Sequence, residues 1–374
     1  GPDYPDFEHL PEDLKKGNNV FVSAYGPHSW DFRGKATPLQ DEPIIIPRGK
    51  AMGGSSSING QVVFRGVPED YDLWAEWGND EWAFTKILPY FRKMENDRDF
   101  GGDDFHGNEG PLPVRRYQRS DWLPINTNFY DACVGVGFPE DADQNSPDSN
   151  GVGARPLNNI DGVRMSTSLT YLNPVRNRMN LTVRSSVTVR RIVFEGTRAT
   201  GVEVESGGEV FVVESNEVIL SAGGIGSPQI LMLSGVGPAE HLREMGIPVT
   251  LDSPGVGQNL RDHPNVRVPV SVKEDFPLDP EAPRSQLALR YTAAGSSDRN
   301  DMQILASSFS SPMGGDPAEG EGIRFTCILE LAVGAGEVKL VSTDPHDQPF
   351  LDYPICKSRG TGNECVKGFV CASS

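Results

Sequence analysis

Nowhere does this 374-residue chain carry G-x-G-x-x-G between a strand and a helix. The fingerprint that opens a dinucleotide-binding βαβ unit is therefore missing, and "GVGFPE", "GGIGSP" and "GVGQNL" do not replace it. No apolar run approaches the roughly 20 residues needed to span a bilayer, so membrane insertion is not expected. The chain opens at Gly1-Pro2 with no basic, apolar leader. A soluble, cytoplasmic protein is the expectation from that pattern. Basic residues are scarce, 34 against 52 acidic ones, for a net charge of −18. That balance argues against nucleic acid and anionic membranes as partners. There is no C-x-x-C pair among the five cysteines, and no zinc spacing. Cys133 and Cys327 are isolated, while Cys356, Cys365 and Cys371 crowd the last residues. With no G-x-S-x-G elbow and no H-E-x-x-H, neither a serine hydrolase nor a zinc protease is supported. No metal site is expected, and "DRDFGGDD" (Asp97 to Asp104) reads as a solvated loop.

Glycine and proline are plentiful, 41 and 30 residues, which favours a loop-rich globular protein over a helical bundle. Residues 1–47 read as Pro-rich and irregular. Short helices are expected over Tyr71–Trp77 and Thr85–Asn96, the latter with Thr85 as N-cap. From Asn180 Val-rich runs separated by turns, with Gly207-Gly208 between two of them, predict a small β-meander. "EVILSAGG" and "IGSPQILMLSGVG" then predict strand, double-glycine turn and helix, with Ser227 as cap, Pro228 at the first helical position and Gly235 at the end. A strand feeding a Gly-rich turn into a helix N-terminus is a common way to meet a nucleotide or anion. "IRFTCILELAV" and "EVKLVSTD" predict an antiparallel sheet.

The densest oddity is "RGKAMGGSSSING", Arg48 to Gly60. Two adjacent glycines bare the main chain at a cost in chain entropy. Either a tight turn needs them, or something flat or anionic approaches the backbone. The longer stretch "GKAMGGSSSINGQVVFRGVPEDYDLW" resembles the first signature of the glucose–methanol–choline (GMC) oxidoreductases, flavoenzymes that oxidise alcohols. "SPQILMLSGVG" resembles their second, and "DSPGVGQNLRDHP", "FHGNEGPLPV", "YLNPVRNRMNLTV" and "VKLVSTDPHDQPFLDY" are similar to further family segments in the family's order. The resemblance covers nearly the whole chain to Tyr353.

The resemblance implies an α/β fold with α+β character: an incomplete FAD/NAD(P)-binding domain of GMC type plus an antiparallel-sheet substrate domain. It places the first over residues 1–264 (discontinuous), the second over 265–353 and an atypical tail over 354–374. It implies FAD as cofactor, with Ala51, Gly53, Gly54, Asn59, Gly60, Gln61 and Val62 against it and Val189 at the adenine. Some relatives attach FAD through a histidine where this chain has Ile58, so non-covalent FAD is expected. The implied reaction is hydride transfer from a small alcohol to flavin N5, giving an aldehyde or ketone, with oxygen or a quinone as electron acceptor. The family's catalytic histidine block has no counterpart here, and His106 and His263 read as structural, so no catalytic residue is assigned. An inactive, internal piece of a longer enzyme is the expectation. A non-catalytic scaffold and a cyanohydrin lyase of the same family are the alternatives.

Overall fold

Short apolar runs in the last third of the chain, "IRFTCILELAV" among them, form most of the largest sheet. In the computed structural model all residues are described except 19, 37–40, 277, 280–281, 311–321, 333 and 353–374. The sheet is antiparallel, in the order Asn265–Val270, Gly322–Leu329, Met302–Ser310, Leu287–Tyr291, Gly151–Ala154. Its exposed edge strand Asn265–Val270 carries Pro269, a residue that edge strands tolerate. The opposite edge comes from far upstream: Val152 pairs with Leu289 and Gly153 with Ala288. A Cβ on Gly153 would stand 1.9 Å from the Asp141 carbonyl oxygen, so only glycine lets this strand lie so close to its neighbour. The helix Pro124–Gly135 covers one face, burying Phe129, Tyr130 and Cys133 against Val152, Leu287, Leu289 and Met302. Proline at its first position suits a helix start.

A second sheet pairs Gln258–Leu260, Gly336–Lys339 and Phe350–Asp352. The "EVKLVSTD" strand therefore leaves the large sheet and joins a segment upstream of residue 265. Its core side meets the helix Gly223–Leu233 through Met232, Leu233, Val338, Leu340 and Leu351. The expected meander is present as Thr188–Glu195, Arg198–Ser206 and Glu209–Glu214. Gly207 and Gly208 make its second turn at φ 61° and 84°. The Ile192 N–H donates to Ser234 Oγ at 2.8 Å and ties the meander to the helix Gly223–Leu233.

Several expectations need correction. Residues 1–47 are not wholly irregular: they hold the helices Glu12–Lys15 and Val20–Ala24 and the pair Phe32–Gly34 with Ile44–Ile46. The helix expected from Thr85 runs Phe84–Met94; the Phe84 N–H is taken at 2.9 Å by the Asp72 carboxylate, so Thr85 is no cap. The helix expected from Pro228 starts at Gly223, whose φ of 82° makes the turn. Pro228 lies inside it, and Ser227 Oγ accepts the Ala222 N–H at 3.0 Å. Gly235 does end that helix, at φ 82°, with its N–H donating to the Met232 carbonyl. Glu217–Leu220 pairs with no strand among the described residues, and Ile219 is 83% exposed. Asp97 is not solvated: it is buried beside Arg116.

Cys133 and Cys327 are buried free thiols, and burial pushes Cys133 up to about 11. Cys356, Cys365 and Cys371 lie outside the described residues. No helix among the described residues is long and apolar enough to cross a membrane.

Candidate functional site

The serines of the Arg48–Gly60 loop explain themselves first. Ser55 Oγ accepts the Gly49 N–H at 3.1 Å, Ser56 Oγ donates to the Gly53 carbonyl at 2.6 Å, and Ser57 Oγ donates to the Met52 carbonyl at 2.8 Å. Each hydroxyl satisfies backbone that a tight loop would strand. The result is a single 3-10 turn, Gly54–Ser57, entered through Gly53 at φ 89°. The two glycines then differ. A Cβ on Gly53 would meet Ser57 Oγ at 2.5 Å, so Gly53 serves the turn. Gly54 also has a left-handed φ of 54°, but a Cβ there would meet nothing within 4 Å, and the same holds at Gly60. Bare main chain at those two points faces open space that a flat group can occupy.

What holds this loop is a residue that sequence reasoning missed. Arg164 is buried, and its Nε donates to the Asn59 carbonyl at 3.0 Å while Nη1 donates to the carbonyls of Ser57 at 2.9 Å and Leu14 at 3.1 Å. Its Nη2 reaches Ser23 Oγ at 2.8 Å. Burial pulls its pKa down to about 10, opposed by Asp13. Ile58 points the other way, buried with Leu10 and Leu14, and offers no nucleophile.

Ala51, Gly53, Gly54, Asn59, Gly60, Gln61 and Val62 fall together on this one segment. Asn59 and Gly60 are exposed, whereas Gln61 is buried at φ 64° with its amide bonded to the Gly17 carbonyl and to Asn159. Val62 bridges to Leu157. Val189 lies elsewhere, on the first meander strand opposite Val204. A second glycine opening is the helix start Gly223-Gly224, where added Cβ atoms would also meet nothing within 4 Å. The helix is long enough for its free N–H groups to favour an anion there.

Gly60 and Gln61 also line a cavity of about 180 Å³ that reaches the inner face of the large sheet. Its apolar wall is Phe21, Leu157 and Leu305; its polar wall includes Ser307, Arg155, Arg284 and Arg324. The loop therefore faces a small chamber between the glycine segment and the sheet.

Beyond the loop, Arg65 leads into a buried charge network. Arg65 Nη2 sits 2.5 Å from Glu95, and Arg116 binds Asp97 at 2.9 Å and Asp143 at 2.6 Å. His106 is fully buried, with Nδ1 3.1 Å from both Glu95 and Asp97 and Nε2 2.8 Å from Asp143. Burial alone would lower its pKa, but the three carboxylates push it up to about 11. Asp97 is held well below the usual carboxylate range by His106 and Arg116, against the opposing effect of its own burial. Glu95, Asp97 and His106 could geometrically share a cation. Two guanidiniums and a protonated imidazole already neutralise those acids, so the set does not suit a divalent metal. A protonated, doubly bonded His106 cannot accept a substrate proton. His263 is half-exposed and bound to Glu330 at 2.6 Å, which raises its pKa.

The profile of the GMC oxidoreductase family matches residues 30–265. The chain is 38% identical over 353 residues to an uncharacterized GMC-type oxidoreductase of Rhodococcus erythropolis, covering 94% of this chain and 69% of that protein. It is 43% identical over 239 residues to an oxygen-dependent choline dehydrogenase of Rhizobium rhizogenes, covering 63% of this chain and 43% of the relative. The chain thus spans less than half of that dehydrogenase. Among solved structures it superposes on a pyridoxine 4-oxidase from Mesorbium loti with TM-score 0.88 at 25% identity, over 99% of this chain and 74% of the oxidase. This chain belongs to the GMC oxidoreductase family, whose members are FAD-binding flavoproteins.

Proposed function

We propose, from that family membership, that the protein is an FAD-dependent oxidoreductase taking hydride from a CH–OH carbon and giving an aldehyde or ketone. The observation that carries this is the unobstructed main chain at Gly54 and at Gly60, the latter lining a half-open chamber of about 180 Å³. These residues leave room for a flavin: nothing lies within 4 Å of where a Cβ would stand at either glycine, so main chain there could meet the cofactor directly. Ala51, Gly53, Gly54, Asn59, Gly60, Gln61 and Val62 would flank it, the Gly223-Gly224 helix start would favour its phosphates, and Val189 would lie toward its adenine. The bound flavin supplies the hydride acceptor.

The chain's own part is positioning. Arg164 holds the loop carbonyls, so the main-chain N–H groups keep one geometry and cost nothing to reorganise during reaction. The Gln61 amide is fixed by Gly17 and Asn159 and keeps the chamber floor rigid. Phe21, Leu157 and Leu305 give the chamber an apolar wall that would limit water around a bound substrate. The proton acceptor is not assigned to any described residue. Ile58 provides no attachment point, so the cofactor is held without a covalent bond at that site. Oxygen and a quinone both remain as acceptors within this reading.

The test is anaerobic. The purified holoprotein is mixed with short alcohols while the flavin band near roughly 450 nm is followed. Bleaching supports alcohol oxidation. A bound flavin that no alcohol bleaches contradicts it and favours a lyase; a protein that takes up no flavin contradicts the cofactor reading as well.

A further inference from the structure

The chamber beside Gly60 and Gln61 is lined by three arginines in a protein whose net charge is −18. Arg155, Arg284 and Arg324 all line it and all are buried. None of the described residues lining it is acidic. Arg155 has unmet hydrogen-bonding capacity. The residue is 9% exposed, its Nε has no hydrogen-bond partner, and Nη1 reaches only the Ser285 carbonyl at 3.4 Å. Desolvation pulls its pKa down to about 10, with no neighbouring carboxylate acting against it.

A buried cation without an acid is expensive to keep. Elsewhere this chain obeys that rule: Arg65 and Arg116 each have buried carboxylates. Arg164 has no carboxylate, but four backbone and hydroxyl oxygens take its place. Arg155 has neither, and it borders a chamber rather than packed core. Its planar fork is built for a carboxylate. Phe21 adds a ring face 3.9 Å from the Arg284 guanidinium carbon, fixing a second cation in the same wall. The chamber's volume of about 180 Å³ leaves room for a small organic acid.

We propose that the alcohol oxidised here carries a carboxylate, that Arg155 binds that group, and that the substrate is a small hydroxy acid rather than a neutral alcohol or a cationic one such as choline. This rests on the reading that the chamber is the alcohol site. In the reaction the carboxylate would stay intact; a flavin held here would accept the carbinol hydrogen with its electron pair as hydride, and the hydroxyl proton would pass to solvent water, giving an oxo acid. Arg155 fixes which end of the molecule enters the chamber first.

The test separates binding from chemistry. Calorimetry on the holoprotein compares acetate and glycolate with acetamide, ethylene glycol and choline. The prediction is saturable binding of the two anions, with the neutral and cationic probes weaker by about 100-fold. Arg155→Gln should lose the anions by a similar factor, with Arg155→Lys recovering part of the loss. In turnover, Arg155→Gln should act on KM for glycolate more than on kcat. If Arg155→Gln does not fold, the wild-type preference decides the matter. Equal binding of ethylene glycol or choline overturns the proposal. So does acetate that binds the flavin-free protein but not the flavin-loaded one, because the arginine then serves the cofactor. A protein that binds acetate selectively yet bleaches with no alcohol contradicts the oxidoreductase reading and leaves the anion site standing.

Discussion

Arg164 Nη1 donates to the Ser57 carbonyl at 2.9 Å across 107 positions of sequence. This one contact joins the glycine–serine loop to a turn far downstream, and with Asn59 and Leu14 it makes Arg164 the clamp of the site. Arg164→Met should strand the buried carbonyls of Ser57 and Leu14, each worth about 1–3 kcal/mol, and the part-buried one of Asn59. A loss of at least about 3 kcal/mol in urea unfolding is expected, with flavin affinity falling about tenfold or more. Arg164→Lys should rescue little, since one ammonium cannot span those acceptors. Unchanged stability in Arg164→Met would remove the clamp from the account.

Gly54 and Gly207 form a matched pair for separating turn strain from cofactor approach. Their φ angles are 54° and 61°, and a Cβ at either meets nothing within 4 Å. Alanine at either position should cost about 1–2 kcal/mol from the left-handed backbone alone. Only Gly54→Ala should also weaken FAD binding, by about tenfold or more. Equal flavin affinity in the two variants would say that Gly54 faces nothing.

The His106 network makes stability depend on pH with a definite sign. The folded pKa is pushed up to about 11 from an ordinary 6.5. A raised pKa contributes stability that is full below about 6.5 and is lost as pH rises toward 11. Between roughly pH 7 and 8.5 the slope should approach −1.4 kcal/mol per pH unit for one proton. Above that, the Cys133 thiol adds a fall of the same sign, because burial keeps it protonated in the folded state. His263, half-exposed, should add little through solvent screening. Urea midpoints across that window check this, and a flat profile contradicts it.

The cofactor should leave the protein on denaturation. Ile58 is 2% exposed among apolar neighbours and has no nitrogen to bond a flavin. Acid precipitation of the holoprotein should release the flavin to the supernatant, and flavin left in the pellet would show attachment at another residue.

Local patterns made part of this legible. The meander, the Gly235 helix end and the bare loop at Gly53-Gly54 are short-range chemistry, written in neighbouring residues. The Thr85 cap failed because Asp72 reaches the Phe84 N–H from twelve positions away. Gly151–Ala154 lay hidden in a Gly-rich stretch because its pairing partner is Leu287–Tyr291, and no local alternation announces it. Arg164 and Arg155 carry no local signal in the sequence, because only the fold buries them. Asp97 looked like one more loop acid because Arg116 and His106, which neutralise it, lie outside its own turn. Long-range partners decided each of these, and sequence spacing holds no record of them.

Hydrogen exchange on the holoprotein and its flavin-stripped form tests the central claim most directly. The backbone amides of residues 51–62 should slow markedly when flavin is bound, together with those at Gly223-Gly224. Flavin-bound protein in which 51–62 exchanges as fast as in the stripped form would contradict the account.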